Sequence, residues 1–178
     1  MPAAILQPAT DPDLPAVVQL MNRAFRGKGS KAGWSTEADY IEGDRTTLPL
    51  LQDQVASTPD GHLLIARDAA AQSLQGSVWL HQTSPLVWYL GSLTVDPTLQ
   101  NAGTGRQLLA AAEQWLLERG AKLIQMRVVN VRETLIAWYV RRGYHLPGET
   151  HPFPYDDHRF GRPLRNDLAF VVLEKSFR

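Results

Sequence analysis

Leu93-Thr94-Val95-Asp96-Pro97-Thr98-Leu99-Gln100-Asn101-Ala102-Gly103-Thr104-Gly105 carries a hydrophobic strand through a glycine turn directly into a helix. Gly103 and Gly105 remove Cβ atoms where the backbone turns sharply and is approached closely, and the unpaired N–H groups of the following helix's first turn face outward. Such an arrangement holds an anion, and a phosphate-bearing, nucleotide-like molecule is its natural guest. Arg106, in that first turn, opposes the helix dipole unless an anion lies nearby. Thr104 and Gln107 have the spacing of a capping box, which is compatible with anion binding.

In its context the segment resembles the acyl-CoA pyrophosphate loop of the GNAT superfamily of N-acetyltransferases, written (Arg/Gln)-x-x-Gly-x-(Gly/Ala) and matched by Gln100, Gly103 and Gly105. A Leu-x-Val-x-Pro strand end, Leu93 to Pro97, lies at its start, and a Tyr-x-x-x-Gly-(Tyr/Phe) helix end, Tyr139 to Tyr144, lies downstream. Together these elements cover about a third of the chain.

Composition bounds the answer. The chain has 178 residues, 44% of them hydrophobic and 20% charged, which suits one soluble domain spanning residues 1–178. Eighteen basic residues balance eighteen acidic ones, so no global field recruits nucleic acid or an anionic membrane. The absence of cysteine excludes disulfides, Cys-ligated zinc and a cysteine nucleophile. No apolar run reaches the length of a membrane span and no leader pattern is visible at the start, so a cytoplasmic address is expected.

Ala3 to Leu6 reads as a first strand, followed by the helix-start signal Thr10-Asp11-Pro12. Leu14, Val17, Val18, Met21 and Phe25 then repeat at helical spacing up to Arg26-Gly27-Lys28-Gly29. That glycine-lysine cluster is not a phosphate loop, because Lys28 is followed by glycine and no strand precedes it. Short helices are expected from starts at Ser35-Thr36-Glu37 and Arg45 to Pro49. His62–Arg67, Gly76–Thr83 and Val87–Val95 form an expected antiparallel meander. A helix over 105–119 stopped by Gly120, a strand Leu123–Val129, a helix over 131–142 stopped by Gly143, and a strand Leu168–Leu173 complete the order. This order predicts an α/β (α+β) fold: a central mixed, mostly antiparallel sheet covered by helices on its faces.

The resemblance implies more. The strands ending at Val95 and running over Leu123–Val129 should splay apart into a slot for the pantetheine arm of acetyl-CoA, with Gly91 a candidate for the accompanying bulge. Backbone groups of Leu93 and Val95 should pair with that arm, and Gln100, Asn101, Ala102, Gly103, Thr104, Gly105 and Arg106 should hold its phosphates. Tyr139, a core tyrosine on composition alone, becomes the candidate general acid: a phenol titrating near about 10 can protonate a thiolate whose acid titrates around 8 to 9. The family often has asparagine seven residues before this tyrosine; here that position is Arg132, with Asn130 two residues earlier.

The acceptor ammonium must lose a proton before attack, so a base is sought among Glu37, Asp39 and His81. Glu37 ranks first because it falls in the region that lines the acceptor side in the family, although an acidic residue after Thr36 also suits a helix start. Trp34, Tyr40, Arg45, Trp79, Trp88 and Tyr89 are the stock of aromatic walls and of a carboxylate-binding cation for an acceptor pocket. The segment Pro147 to Asn166 is long enough to cover that pocket. Its His151, Asp156, Asp157 and His158 match no familiar metal site, and no metal is expected. The implied activity is transfer of acetyl from acetyl-CoA to a primary amine by direct attack in a ternary complex, the acceptor being a small molecule. The alternatives are a peptide or protein amine, or a non-catalytic acyl-CoA sensor. The family often dimerises, so a homodimer is among the expectations.

Overall fold

The computed structural model describes residues 4–29 and 32–178. In chain order it contains β1 (Leu6–Pro8), α1 (Leu14–Arg26), β2 (Ile41–Glu42), α2 (Leu48–Ser57), β3 (Gly61–Arg67), β4 (Leu74–Ser84), β5 (Val87–Val95), α3 (Thr104–Leu117), β6 (Leu123–Val129), α4 (Glu133–Val140), β7 (Thr150–Pro152), β8 (Arg162–Pro163) and β9 (Ala169–Ser176). Seven strands form one sheet in the order β1-β3-β4-β5-β6-β9-β7, while β2 and β8 pair separately. Every pairing in the large sheet is antiparallel except that of β5 with β6. The expected mixed, mostly antiparallel architecture is therefore present. Among the described residues no helix is long and apolar enough to cross a membrane.

Period-two alternation along the central strands divides the core into two layers. Leu64, Val78, Leu80, Trp88 and Leu90 turn to one face and pack with Leu109, Ala112 and Leu116 of α3 and Tyr139 of α4. Leu63, Ile65 and Trp79 turn to the other face and pack with Leu14, Val17 and Met21 of α1 and Leu51 of α2. A smaller cluster, Ile41, Val129 and Leu168 with Phe153, Tyr155 and Phe170, fixes the segment after α4 against the end of β6.

Several local expectations change. The first strand is Leu6–Pro8 rather than Ala3–Leu6, and Ala3 lies outside the described residues. No helix starts at Ser35-Thr36-Glu37: Thr36 Oγ1 accepts from Ala38 N but also donates to Gly27 O at 2.7 Å, so the segment turns back onto the end of α1. The second start is real, with Thr47 as the cap of α2. For α3 the cap is Gly103, at φ +83°, rather than Thr104, which is the first residue of the helix.

The sheet opens between the two strands that the resemblance implies. β5 and β6 pair only at Val87–Leu123, Trp88–Ile124 and Tyr89–Gln125, after which β6 continues with β9 while β5 stays with β4. The register of β4 against β5 shifts between Ser77–Thr94 and Trp79–Gly91, giving β5 one extra residue. The distortion falls next to Gly91, on Ser92, which adopts φ +49°.

Candidate active site

Three adjoining cavities lie at the splay. On one side is a cavity of about 500 Å³ lined by Leu93, Val95, the glycine loop, Trp34, Trp138 and Arg142. A throat of about 70 Å³ follows, bounded by Ser92, Leu93, Met126, Arg132 and Tyr139. Beyond it a second cavity of about 480 Å³ is walled by Phe25, Trp79, Tyr89, Phe153 and Phe160 and by four arginines.

The first cavity brings an open strand edge together with a helix start. Asp96 N donates to Gln75 O across the β4 edge, so Val95, and Leu93 two residues back, turn their peptide groups to the open edge of β5. At the loop, Asn101 (φ +70°) and Gly103 (φ +83°) reverse the chain into α3, whose first-turn N–H groups have no intrahelical acceptors. Gln100, Asn101, Ala102, Gly103, Gly105 and Arg106 all line this cavity; Thr104 does not, and only its backbone N–H belongs to the anion-facing turn. The Gln100 side chain is otherwise engaged, accepting from Trp34 N at 2.9 Å and donating to Ser35 Oγ at 3.0 Å. It thereby ties the turn carrying Trp34 over the slot. Trp34, expected among the acceptor walls, lies on this side instead and faces Trp138 at 6.3 Å.

Arg142 was not singled out by sequence. Its guanidinium lies 3.7 Å above the Trp138 ring and donates to Trp138 O, while its buried Nε has no partner. Desolvation, with Arg141 and Arg106 nearby, lowers its pKa. A half-buried guanidinium with one orphaned N–H beside a helix start that carries Arg106 is suited to an anion such as a phosphate. Its sequence signal was weak, because a basic residue near a helix C-terminus is common.

Tyr139 is 5% exposed, packs edge-on against Trp138 and Tyr144, and lines the throat. Burial pushes its phenol up to about 12, partly opposed by the Arg132 charge. Glu37, 6% exposed, receives Arg132 Nη1 at 3.0 Å and Arg26 Nε at 3.4 Å. Arg132 also donates to Ser35 O. Asn130 is occupied elsewhere: its amide donates to Asp167 O and accepts from Ala169 N, closing the β6–β9 end.

His81 lines the second cavity with its Nδ1 taken by the Trp79 indole N–H at 2.9 Å, and burial lowers its pKa. Asp39 is exposed and lines none of these cavities. Arg45, Trp79 and Tyr89 meet in the second cavity, whereas Trp88 belongs to the core with Trp115 and Tyr40 packs beside Ile41. The 153–161 part of the long segment lines this cavity, as expected of a cover. Among the described residues no group of three or more His, Cys, Asp or Glu side chains forms a metal-holding cluster.

The same fold recurs among solved structures. A protein provisionally named a phosphinothricin N-acetyltransferase superposes with a TM-score of 0.73 at 13% identity, covering 99% of each chain. The ribosomal-protein-alanine N-acetyltransferase of Brucella melitensis gives 0.70 at 19% identity, over 97% of this chain and 99% of that one. A provisionally named streptothricin acetyltransferase from Bacillus anthracis, solved with acetyl coenzyme A, gives 0.55 at 21% identity over 68% of this chain and 65% of its own. No curated protein matches the sequence significantly. The model of the acetyltransferase (GNAT) family, however, matches residues 14–144, well over half of the sequence, and on that match the chain belongs to this family.

Proposed function

We propose that the chain acts as a single acetyl-CoA-dependent N-acetyltransferase domain that acetylates a small primary amine by direct attack in a ternary complex. The observation carrying this reading is the alignment of three adjoining cavities: the one at the glycine loop shares Leu93 and Val95 with the throat at Tyr139, and the throat shares Ser92 and Arg132 with a half-open cavity of a size suited to a small molecule. A neighbour of the same fold was solved with acetyl coenzyme A, which supports the first half of it.

Acetyl-CoA supplies a thioester whose C–S bond breaks as the acceptor nitrogen forms the C–N bond, one proton leaving the nitrogen and one reaching the sulfur. The chain's part is positioning and polarisation. The glycine loop, Arg106 and Arg142 hold the phosphates, and the open edge of β5 at Leu93 and Val95 aligns the pantetheine amides. Tyr139, protonated at any working pH, donates to the departing sulfur. Glu37 accepts the amine's proton through water, using lone-pair sites left over by Arg26 and Arg132. The positive walls of the acceptor cavity favour a neutral amine and lower the demand on that base.

The test is release of free CoA from acetyl-CoA across a panel of amines and peptides, with Tyr139→Phe and Gly103→Trp alongside. Small-amine-dependent release that falls in both variants is expected. Binding of acetyl-CoA without turnover by any amine would favour a sensor; turnover only with peptides would move the acceptor to proteins; absence of acetyl-CoA binding by the folded protein would overturn the reading.

A further inference from the structure

The cations of the acceptor cavity are not all matched. Of its two acidic wall residues, Glu37 is shared between Arg26 and Arg132, and Asp157 is held by Arg159 Nη2 at 2.7 Å. Arg45 and Arg127 line the same cavity, and among the described residues neither has a carboxylate within ion-pair distance.

Arg45 is held in place without being neutralised. Its backbone N donates to Asn22 Oδ1 at 2.7 Å, and its guanidinium sits 5.4 Å from the Phe25 ring and 5.7 Å from the Phe160 ring. One N–H donates to Ser92 Oγ at 3.2 Å. A guanidinium has five such donors, and stacking on aromatic faces leaves its edge available. Ser92 is the bulge residue at the throat, so a group bound on Arg45 lies next to the point where the sheet opens. Arg127 approaches from β6, on the other side of the splay. Tyr89, between them on β5, feels both charges.

The cavity is also partly covered. Arg26 donates to Gly43 O at 2.8 Å and Phe160 O at 2.6 Å, Arg162 pairs with Glu42, and β8 pairs with β2. At Gly161 (φ +110°) a Cβ would come within 2.8 Å of Glu42 O, so this part of the roof lies directly on the chain beneath. A volume of about 480 Å³ under such a cover fits a metabolite-sized molecule.

We infer that the acceptor is a small primary amine that also bears a carboxylate, which Arg45 and Arg127 bind while the amine is presented to the throat. This rests on the acetyltransferase reading above and narrows its acceptor. Polycationic amines are disfavoured by the same charges.

Two arms separate this inference from that reading. In the first, binding of unreactive N-acetyl amino acids and of their carboxamides is followed by quenching of tryptophan fluorescence, Trp79 being in the cavity wall. The acids are expected to bind at least about tenfold tighter than the amides, and Arg45→Gln or Arg127→Gln to collapse that ratio. Arg45→Lys, which keeps the charge, is expected to retain part of it. Since Arg45 also packs on two rings, the exposed Arg127 supplies a variant less prone to misfolding. In the second arm, kcat/KM with acetyl-CoA is compared for amino acids, their amides and spermidine. Equal binding of acid and amide in the first arm overturns the inference whatever the second gives. Transfer that prefers amides or spermidine overturns it while leaving the acetyltransferase intact.

Discussion

Arg132 and Glu37, 95 residues apart in sequence, meet in a buried ion pair of 3.0 Å. The pair joins the start of α4 to the turn before β2, so one contact fixes the acceptor-side chain against the element that carries Tyr139. Removing one member of such a pair strands the other charge, at a cost of about 3 to 5 kcal/mol. Glu37→Ala strands two guanidiniums and is expected to lower Tm by about 10 °C at this chain length. Adding Arg132→Met should recover part of the loss. Thermal unfolding of the single and double variants checks this, and additive losses would mean that the two side chains do not interact.

If Glu37 also receives the acceptor's proton, its loss should matter less when the acceptor arrives neutral. Activity of Glu37→Gln is therefore expected to fall steeply for amines of ordinary basicity and much less for a low-pKa amine at the same pH. A uniform loss across both amines would leave Glu37 with the role of positioning Arg132 and Arg26 alone. Rates measured on matched amines decide between them.

In the proposed mechanism Tyr139 is a donor that does not titrate in the working range. Because burial pushes its phenol up to about 12, the rate is expected to rise with pH as the acceptor loses its proton and to show no fall below about pH 10. Tyr139→Phe should lower the rate by about a hundredfold across this range without moving the rising limb or weakening acetyl-CoA binding. A falling alkaline limb between pH 8 and 10 that vanishes in the variant would contradict this protonation state.

Much of the fold was legible because it rests on short-range signals. Alternation located β3 to β5 and β6, helical spacing located α1 and α3, and Gly120 and Gly143, both at positive φ, ended their helices where expected. Local signals failed where a distant contact decided the outcome. Thr36 resembled a helix cap, yet its hydroxyl reaches back to Gly27 O, so the segment turns instead. Gln100 matched the loop motif, yet its side chain holds the turn at Trp34 and Ser35. Arg142 and Arg127 gave no pattern at all, since a cation becomes distinctive only when its surroundings fail to neutralise it, which is a property of three dimensions.

The proposed donor site rests on backbone shape at Gly103 and on charge at Arg142, and the two should fail differently. At φ +83° any side chain at 103 is strained by about 1 to 2 kcal/mol, but a Cβ there meets nothing within 4 Å. Gly103→Ala should cost a little stability and retain binding, whereas Gly103→Trp should fill the loop mouth and abolish it. Arg142→Gln is expected to weaken acetyl-CoA by about tenfold and to reduce the salt dependence of binding. Unchanged affinity in Arg142→Gln would remove this residue from the phosphate site. Acetyl-CoA at a hundredfold excess over Kd should stabilise the native protein by about 2.7 kcal/mol, so thermal shift with titrated salt reads all three variants.

His81 gives the stability a pH dependence of known sign. The Trp79 indole can only donate, so His81 Nδ1 must accept, and the native ring is neutral with its proton on Nε2. Burial lowers the native pKa below the ordinary 6.5, so the unfolded chain binds the proton first as pH falls. Stability is therefore complete above about pH 7 and declines as pH drops below 6.5 toward the native pKa. His62, also lowered by burial, contributes in the same direction. His81→Gln keeps an acceptor for the indole but cannot titrate, so it should flatten part of the Tm decline between pH 7.5 and 5.5, and the double variant with His62→Gln should flatten more. A His81→Gln profile parallel to that of the parent protein would mean that the imidazole accepts its proton in the native state as readily as in the unfolded one, and the Trp79 contact would then be too weak to fix the tautomer.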